Sequence, residues 1–275
     1  MDASTVLILA IDTTTRGGSL AVTDDDRLLA LLPGDSTRTH AECLPGEIAI
    51  VLDRAGVVRS ALDLLAVASG PGAFTGLRIG LAATQGLAMA LNRPVVGVSA
   101  LDALAWAADE TQMERNCSEE GRETRLLQGA AVRANDRSEP TIEASLLAPW
   151  MDAQRGDVFA ALYQRQADAA GIFPWTVVEP ALTSAPEALL EMWQGRFGGR
   201  PVLFVGDAVM RDVAHIFRVG AGTWRTGTPA PLAPAIAQIG RRLALAGQAG
   251  PPHRLAPIYV RRPDAELERE RRERP

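Results

Sequence analysis

Lysine is missing from all 275 residues, so each of the 28 basic side chains is an arginine. That absence removes the phosphate-gripping lysine of a P-loop, a Schiff-base lysine and a serine–lysine dyad, because each needs an amine. Histidine is nearly as scarce. His40, His215 and His253 lie far apart with no HxxxH or HExxH spacing, which argues against a histidine-rich metal site. His40 itself reads either as a hydrogen-bonding group at a helix start or as a catalyst. Cysteine is confined to Cys43 and Cys117, too few for a disulfide framework or a structural zinc site, and in keeping with a reducing cytosol. No apolar run approaches the roughly 20 residues that span a bilayer. The run from Val6 to Ile11 behind Asp2 does not have the form of a signal peptide. A cytoplasmic chain without a membrane partner is expected. The net charge of −5 also speaks against a strongly basic nucleic-acid surface.

What is present is apolar: 47% of the residues, enough to bury a large core. The run Val6 to Ile11 reads as a strand ending at Asp12, followed by Thr13-Thr14-Thr15 and Gly17-Gly18. Strands at Ser19 to Thr23 and Arg27 to Leu32 complete a meander. Thr39 to Ala55 reads as a helix with Leu44, Ile48, Val51 and Leu52 on one stripe, Pro45 in its first turn and Gly56 as its stop. A strand from Leu62 to Ala68 then enters Gly70-Pro71-Gly72, and a helix starts near Thr75 and runs to Leu91. The free N–H groups of that helix's first turn offer an anion site, or the loop is simply a tight strand-to-helix turn.

This second helix is unusual in being apolar almost all round. Leu77, Ile79, Leu81, Ala83, Leu87, Met89 and Leu91 spread over most of its circumference at ~100° per residue, leaving Arg78 and Gln85 as one narrow polar stripe. Gly76, Gly80 and Thr84 place a small residue at every fourth position, where another helix can approach. Either the helix is sandwiched within its own domain, or one face lies on its own sheet and another in a subunit interface. Pro94 to Val98 gives another strand, and Ser99 caps a helix with Asp102 at its third position.

From Glu110 to Pro140 the pattern dissolves, and residues 110–145 read as a flexible insertion. Beyond it the first order returns: a strand ending in Asp152, a turn with Gly156, then strands at Asp157 to Gln164 and Ile172 to Val178. Asp152 takes the place of Asp12, and Gly156 that of Gly17. A helix at Pro186 to Trp193, a strand at Pro201 to Val205, a short helix around Val213 to Phe217, a longer one at Pro231 to Ala246 and an extended Ala256 to Arg261 follow. The charged tail 264–275 reads as a solvated end. Such a duplication is the logic of the actin-like ATPase (ASKHA) fold, an α/β architecture of two related βββαβα lobes, here residues 1–109 and 146–263.

Five segments together resemble one family: ILAIDTTT at Ile8–Thr15, SGPGAFTGLRIGLAATQGLA at Ser69–Ala88, PVVGVSALDALA at Pro94–Ala105, MDAQRGDVFAALY at Met151–Tyr163 and PIYVRR at Pro257–Arg262 are similar to TsaB. That resemblance implies a non-catalytic scaffold that pairs with a TsaD-like transferase and supports threonylcarbamoyladenosine modification of ANN-decoding tRNAs. It implies a TsaE-like ATPase docking on the pair, a homodimer when the chain is alone, and tRNA contact only through the complex. The family's partner surface is a helical bundle, which maps here to Leu44, Ile48, Val51, Leu52, Phe74, Leu77, Arg78, Leu81, Gln85 and Leu87. Arg78 then meets a partner carboxylate or caps its own sheet loop. Aspartate at Leu81 or Leu87 is expected to weaken pairing without unfolding the chain. The rival reading is a nucleotide-dependent enzyme of the actin-like or sugar-kinase class, or a glycoprotease, working in the interlobe cleft. In that reading Asp12, Thr13, Gly72 and Asp152 cradle phosphate and magnesium; in the scaffold reading they are at most a vestigial ATP and magnesium site, with no cofactor and no metal required. Direct tRNA binding through a few arginines is a third reading.

Overall fold

A computed structural model describes residues 5–108, 146–166, 173–227 and 230–260. The expected insertion and charged tail lie outside the described residues. Three strands, β1 (Leu7–Asp12), β2 (Ser19–Asp24) and β3 (Arg27–Pro33), form the antiparallel meander. Helix α1 (His40–Ala55) follows, then β4 (Leu64–Gly70), α2 (Phe74–Leu91), β5 (Val95–Ser99) and α3 over 100–108. β4 and β5 add in parallel beside β1, giving a five-stranded sheet in the order β3-β2-β1-β4-β5.

The second half repeats this element for element: β6 (Leu146–Asp152), β7 (Val158–Arg165), β8 (Trp175–Ser184), α4 (Pro186–Phe197), β9 (Val202–Val205), α5 (Val209–Gly220), β10 (Trp224–Gly227) and α6 (Ala233–Leu245). Its sheet runs β8-β7-β6-β9-β10, with the same antiparallel and parallel neighbours. This is the duplicated βββαβα arrangement of the actin-like fold.

Each half ends in a helix that covers the other half's sheet or its own, and the burial pattern settles which. β1 is apolar from Leu7 to Ile11 because both faces of its sheet are covered. Leu9, Ile11, Leu65 and Val67 point toward α1 and α2, whose Leu44, Val51, Leu52, Leu77 and Leu81 complete one core. Ile8, Ala10, Ala66 and Val96 point the other way, onto α6 from the second half. In return α3 lies against the second sheet. Trp106 meets Trp175 edge-on at 5.8 Å, the Leu104 side chain packs beside Gly206, and the Tyr163 hydroxyl donates to Asp102 Oδ1 at 2.6 Å. The two halves are therefore joined by an exchange of helices rather than by a hinge alone.

Several boundaries differ from the expected ones for identifiable reasons. Thr39 is the N-cap of α1, closing a capping box with Glu42, and Pro45 sits in the second turn, where its exposed position spares the core. β8 begins at Trp175 and runs through Pro180, which an edge strand tolerates. α5 starts at Val209 because Val209 is itself buried, and α4 continues past Trp193 to Phe197. β10 is short and half polar, so no periodicity announced it. The segment from Ala256, outside any named strand, crosses over α2: Gln85 Nε2 donates to the carbonyls of Pro252 and Leu255 at 3.1 Å, and Ile258 N donates to Ser69 O at 2.6 Å. Gly70, at φ +115°, leaves room for the Ile258 carbonyl, which any side chain there would strike. Among the described residues no helix is long and apolar enough to cross a membrane.

The helix exchange predicts that the chain unfolds as one unit. Trp106→Ala should lower stability by about 3–5 kcal/mol, with the circular-dichroism and residual tryptophan-fluorescence transitions in urea still coincident. Two separated transitions would contradict it.

Candidate functional site

Two places compete: the cleft where both central strands end, and the outward side of α1 and α2. In the cleft, Asp12 ends β1 and is fully buried. Its Oδ1 accepts from Thr14 N at 2.8 Å and Thr14 Oγ1 at 2.6 Å, and its Oδ2 accepts from Thr15 Oγ1 at 3.0 Å. Burial pushes its carboxyl above the usual range, against the pull of those bonds and of nearby His40. Thr13 Oγ1 donates to Gly76 O at 2.8 Å. The Thr14 carbonyl accepts Ala73 N at 3.0 Å, at the mouth of α2. His40 Nε2 faces the Thr15 carbonyl at 3.0 Å, so that nitrogen carries the proton, and His40 has the role of a hydrogen-bonding group at the start of α1.

These contacts explain three glycines. A methyl at Gly72 would collide with Thr14, and one at Gly76 or Gly80 with Thr13. The small residues of α2 thus admit the β1 threonine loop of the same chain, not another helix as the spacing suggested. Asp12, Thr13 and Gly72 do come together. They do so as a packed turn whose donors are spent on acceptors of the same turn and of α2, and the Thr14 carbonyl takes the Ala73 N–H that an anion at the helix mouth would need.

Asp152 ends β6 in the second half, in the place equivalent to Asp12. It is neutralised by Arg211, whose Nη1 lies 2.7 Å from Oδ1, and it also accepts from Gln154 N and Nε2 at 3.1 Å. Arg211 grips buried Asp212 as well, and Asp212 accepts the Trp150 indole N–H at 2.8 Å. Asp207, on the loop after β9, accepts Asp152 N at 3.0 Å. Its carboxyl is pushed up by the surrounding chain and by the negative charges of Asp152 and Asp12, although the residue keeps an open side to solvent. Reading the sequence missed Asp207, Arg211 and Asp212, since no spacing ties them to Asp152. In the turn after β6, Gly156 has positive φ, as does Gly18 rather than Gly17 in the first half. Among the described residues no group of three or more His, Cys, Asp or Glu is placed to hold a metal ion.

The helix pair divides the residues expected at a partner surface. Leu44, Ile48, Val51, Leu52, Leu77 and Leu81 are buried in the first half's own core, Val51 at 0% exposure and Leu77 at 2%. They hold the surface up from beneath and cannot themselves be touched. Leu81→Asp would therefore put a charge into the core and unfold the chain, while half-buried Leu87 borders the surface. Gln85 is spent on the crossing segment. Phe74 and Arg78 are exposed. Around them the outward arc of α2 carries Thr75, Ile79, Ala82, Gly86, Met89 and Ala90, and that of α1 carries Pro45, Gly46, Ala49 and Ile50. Met89 is 70% exposed, and Arg78 is the one charged residue in the 18 of α2.

Asp12 gives a pH test of the closed cleft. Because folding raises its pKa, the folded chain holds that proton more tightly than the unfolded one. Its contribution to stability is full below the ordinary carboxyl value and is lost as pH rises through the folded value. Asp12→Asn cannot ionise, so by urea titration it should gain stability relative to the parent as pH goes from about 4 to about 7. A gap that stays constant or closes would contradict the buried turn.

Comparison with known proteins places this geometry in a family. The family described as "TsaD: tRNA N6-adenosine threonylcarbamoyltransferase" matches residues 30–126. The Escherichia coli tRNA threonylcarbamoyladenosine biosynthesis protein TsaB is 33% identical over 190 residues, 68% of this chain and 66% of that protein. The Bacillus subtilis protein of the same description is 27% identical over 259 residues, 94% of this chain and 96% of its own length. A crystal structure of an uncharacterized Pseudomonas aeruginosa protein with similarity to the peptidase YeaZ superposes with a TM-score of 0.64 at 25% identity, covering 93% of this chain and all of the other. With the duplicated sheets and the Gly-Pro-Gly loop leading into α2, these matches establish that the chain belongs to the TsaB family.

Proposed function

We propose that this chain is a non-catalytic subunit that pairs, through the outward side of α1 and α2, with a transferase of the TsaD type and thereby supports threonylcarbamoyladenosine modification of tRNA. The observation that carries the reading is the surface of α2. A solvent-facing helix ordinarily carries charge on its outer side, and this one carries Thr75, Ile79, Ala82, Gly86, Met89 and Ala90 there with Arg78 at the margin.

Two glycines sharpen the argument. A glycine inside a helix costs about 1 kcal/mol against alanine and usually has a packing reason. Gly76 and Gly80 have theirs in Thr13. Gly46 and Gly86, on the outward arcs of α1 and α2, have no atom within 4 Å of an added methyl. A partner helix lying close across both arcs supplies the reason. Burying such a patch removes on the order of 800 Å² per partner.

The relatives, proteins of tRNA threonylcarbamoyladenosine biosynthesis, support the pathway, and the kinship with the transferase family is in keeping with a transferase-type partner. The closed turn at Asp12 and the Arg211 clamp on Asp152 support an accessory role over a kinase-like one, because both carboxylates are already committed within the chain. A TsaE-like ATPase would join the pair, the chain alone would self-associate through the same face, and tRNA would be met by the assembled complex.

Co-expression with the transferase subunit of the same organism tests this. A one-to-one complex is expected on size-exclusion chromatography, and Ala82→Asp should dissolve it while leaving the melting temperature of the isolated chain unchanged. Gly86→Ala should stabilise the isolated chain by up to about 1 kcal/mol yet weaken pairing, whereas Gly80→Ala should cost about 1–3 kcal/mol of stability. Normal pairing by both Ala82→Asp and Gly86→Ala would refute the reading.

A further inference from the structure

We propose that Arg78 is the specificity contact of the pairing surface: it takes a carboxylate of the transferase-type subunit, with Phe74 and Tyr259 holding its guanidinium ready. This rests on the pairing proposed above and adds the residue and the chemistry that select the partner.

Among the described residues Arg78 is an unpaired cation set on an aromatic platform, unlike the arginines of the packed ion pairs. Arg196, Arg211 and Arg241 each reach a carboxylate: Glu179, Asp152 with Asp212, and Asp25 respectively. Arg78 is exposed, and among the described residues no acid bonds to it. Its guanidinium carbon instead lies 3.9 Å from the centroid of the Phe74 ring. That ring, 44% exposed, is in turn stacked on Tyr259 at 6.0 Å with the planes 30° apart. Tyr259 belongs to the segment that Gln85 and Ser69 fasten across α2, so the platform is anchored to the body of the protein.

A guanidinium laid on a ring keeps its edge donors free while losing much of its rotamer freedom in advance. Such a group suits a two-pronged bond to a carboxylate from a partner helix, where a more mobile lysine would lose more entropy. The surroundings favour a protein carboxylate over a polyphosphate backbone. A nucleic-acid strand needs several cations in a row, and α2 offers only this one.

A second copy of this chain fits less well. Helices α1 and α2 start side by side, with the His40 ring against Gly76, so Arg78 lies level with the first turns of α1. The carboxylate there, Glu42, is held by Thr39 N at 3.2 Å and Thr39 Oγ1 at 2.8 Å. The exposed Asp53 lies at the far end of α1.

The test compares wild type, Arg78→Gln, Arg78→Lys and Phe74→Ala for affinity to the transferase subunit of the same organism, at low and high salt, beside self-association of each variant alone. Arg78→Gln should weaken the heteromeric pair about tenfold or more, flatten its salt dependence and leave self-association and thermal stability within twofold and 1 °C of wild type, roughly. Arg78→Lys should recover only part of the loss, and Phe74→Ala combined with Arg78→Gln should cost less than the sum of the two. Wild-type pairing by Arg78→Gln would overturn the inference and leave the pairing reading standing. A loss confined to self-association would assign the carboxylate to a second copy, and a loss confined to tRNA binding by an intact complex would assign a phosphate; either overturns it. Failure of the wild-type chain to pair with the transferase at all would bring down the pairing reading and the inference together.

Discussion

The exchange of helices between the two halves is the constraint on which the rest depends. α6 lies on the first sheet against Ile8, Ala10 and Ala66, and α3 lies on the second sheet with Trp106 against Trp175. Each sheet thus has one face covered from across the molecule, and the Tyr163–Asp102 bond ties the crossing down. Burial holds the Tyr163 proton on, and the Asp102 charge adds to it, so the hydroxyl stays a donor to Asp102 well above neutral pH. With its inner face taken, the first sheet must bury its other face under α1 and α2. Those two helices form the outer layer of the first half, and on α2 the chain that crosses them among the described residues is the segment tied down by Gln85 and stacked through Tyr259 on Phe74.

The cleft is closed by the chain's own side chains near the ends of its central strands. Three consecutive threonines fold back on Asp12 and on the mouth of α2, using the glycines of α2 as space. In the second half an arginine does the equivalent work at Asp152. The proposed pairing asks for a rigid face with little charge, and the outward arc of α2 is one, held from beneath by Val51, Leu77 and the strands.

Much of this was legible in the residues alone. The continuous apolar runs of β1 and β4 announced buried strands, and the repeat of Asp12 by Asp152 announced the duplication. Periodicity could not say which apolar residues faced inward, because a helix greasy on every side gives no phase. Leu44 and Leu77 were therefore placed at the partner surface when the sheet claims them, and Ile50, Met89 and Tyr259 were passed over. The helix exchange left no local mark, since Trp106 and Ile236 look like any core residue until the sheets are assembled. The closing of the cleft was hidden for the same reason: Thr13 and Gly80 are 67 positions apart, and only the fold brings them into contact.

The most direct measurement of the central claim is photo-crosslinking from two equally exposed methionines. Met89 on α2 and Met210 on α5 are 70% and 74% exposed, and a benzoyl-phenylalanine at each has the same access to solvent. With the transferase subunit present, the account predicts a crosslinked pair of one-to-one mass from position 89 and none from position 210. Equal capture at both positions, or capture from position 210 alone, would contradict it.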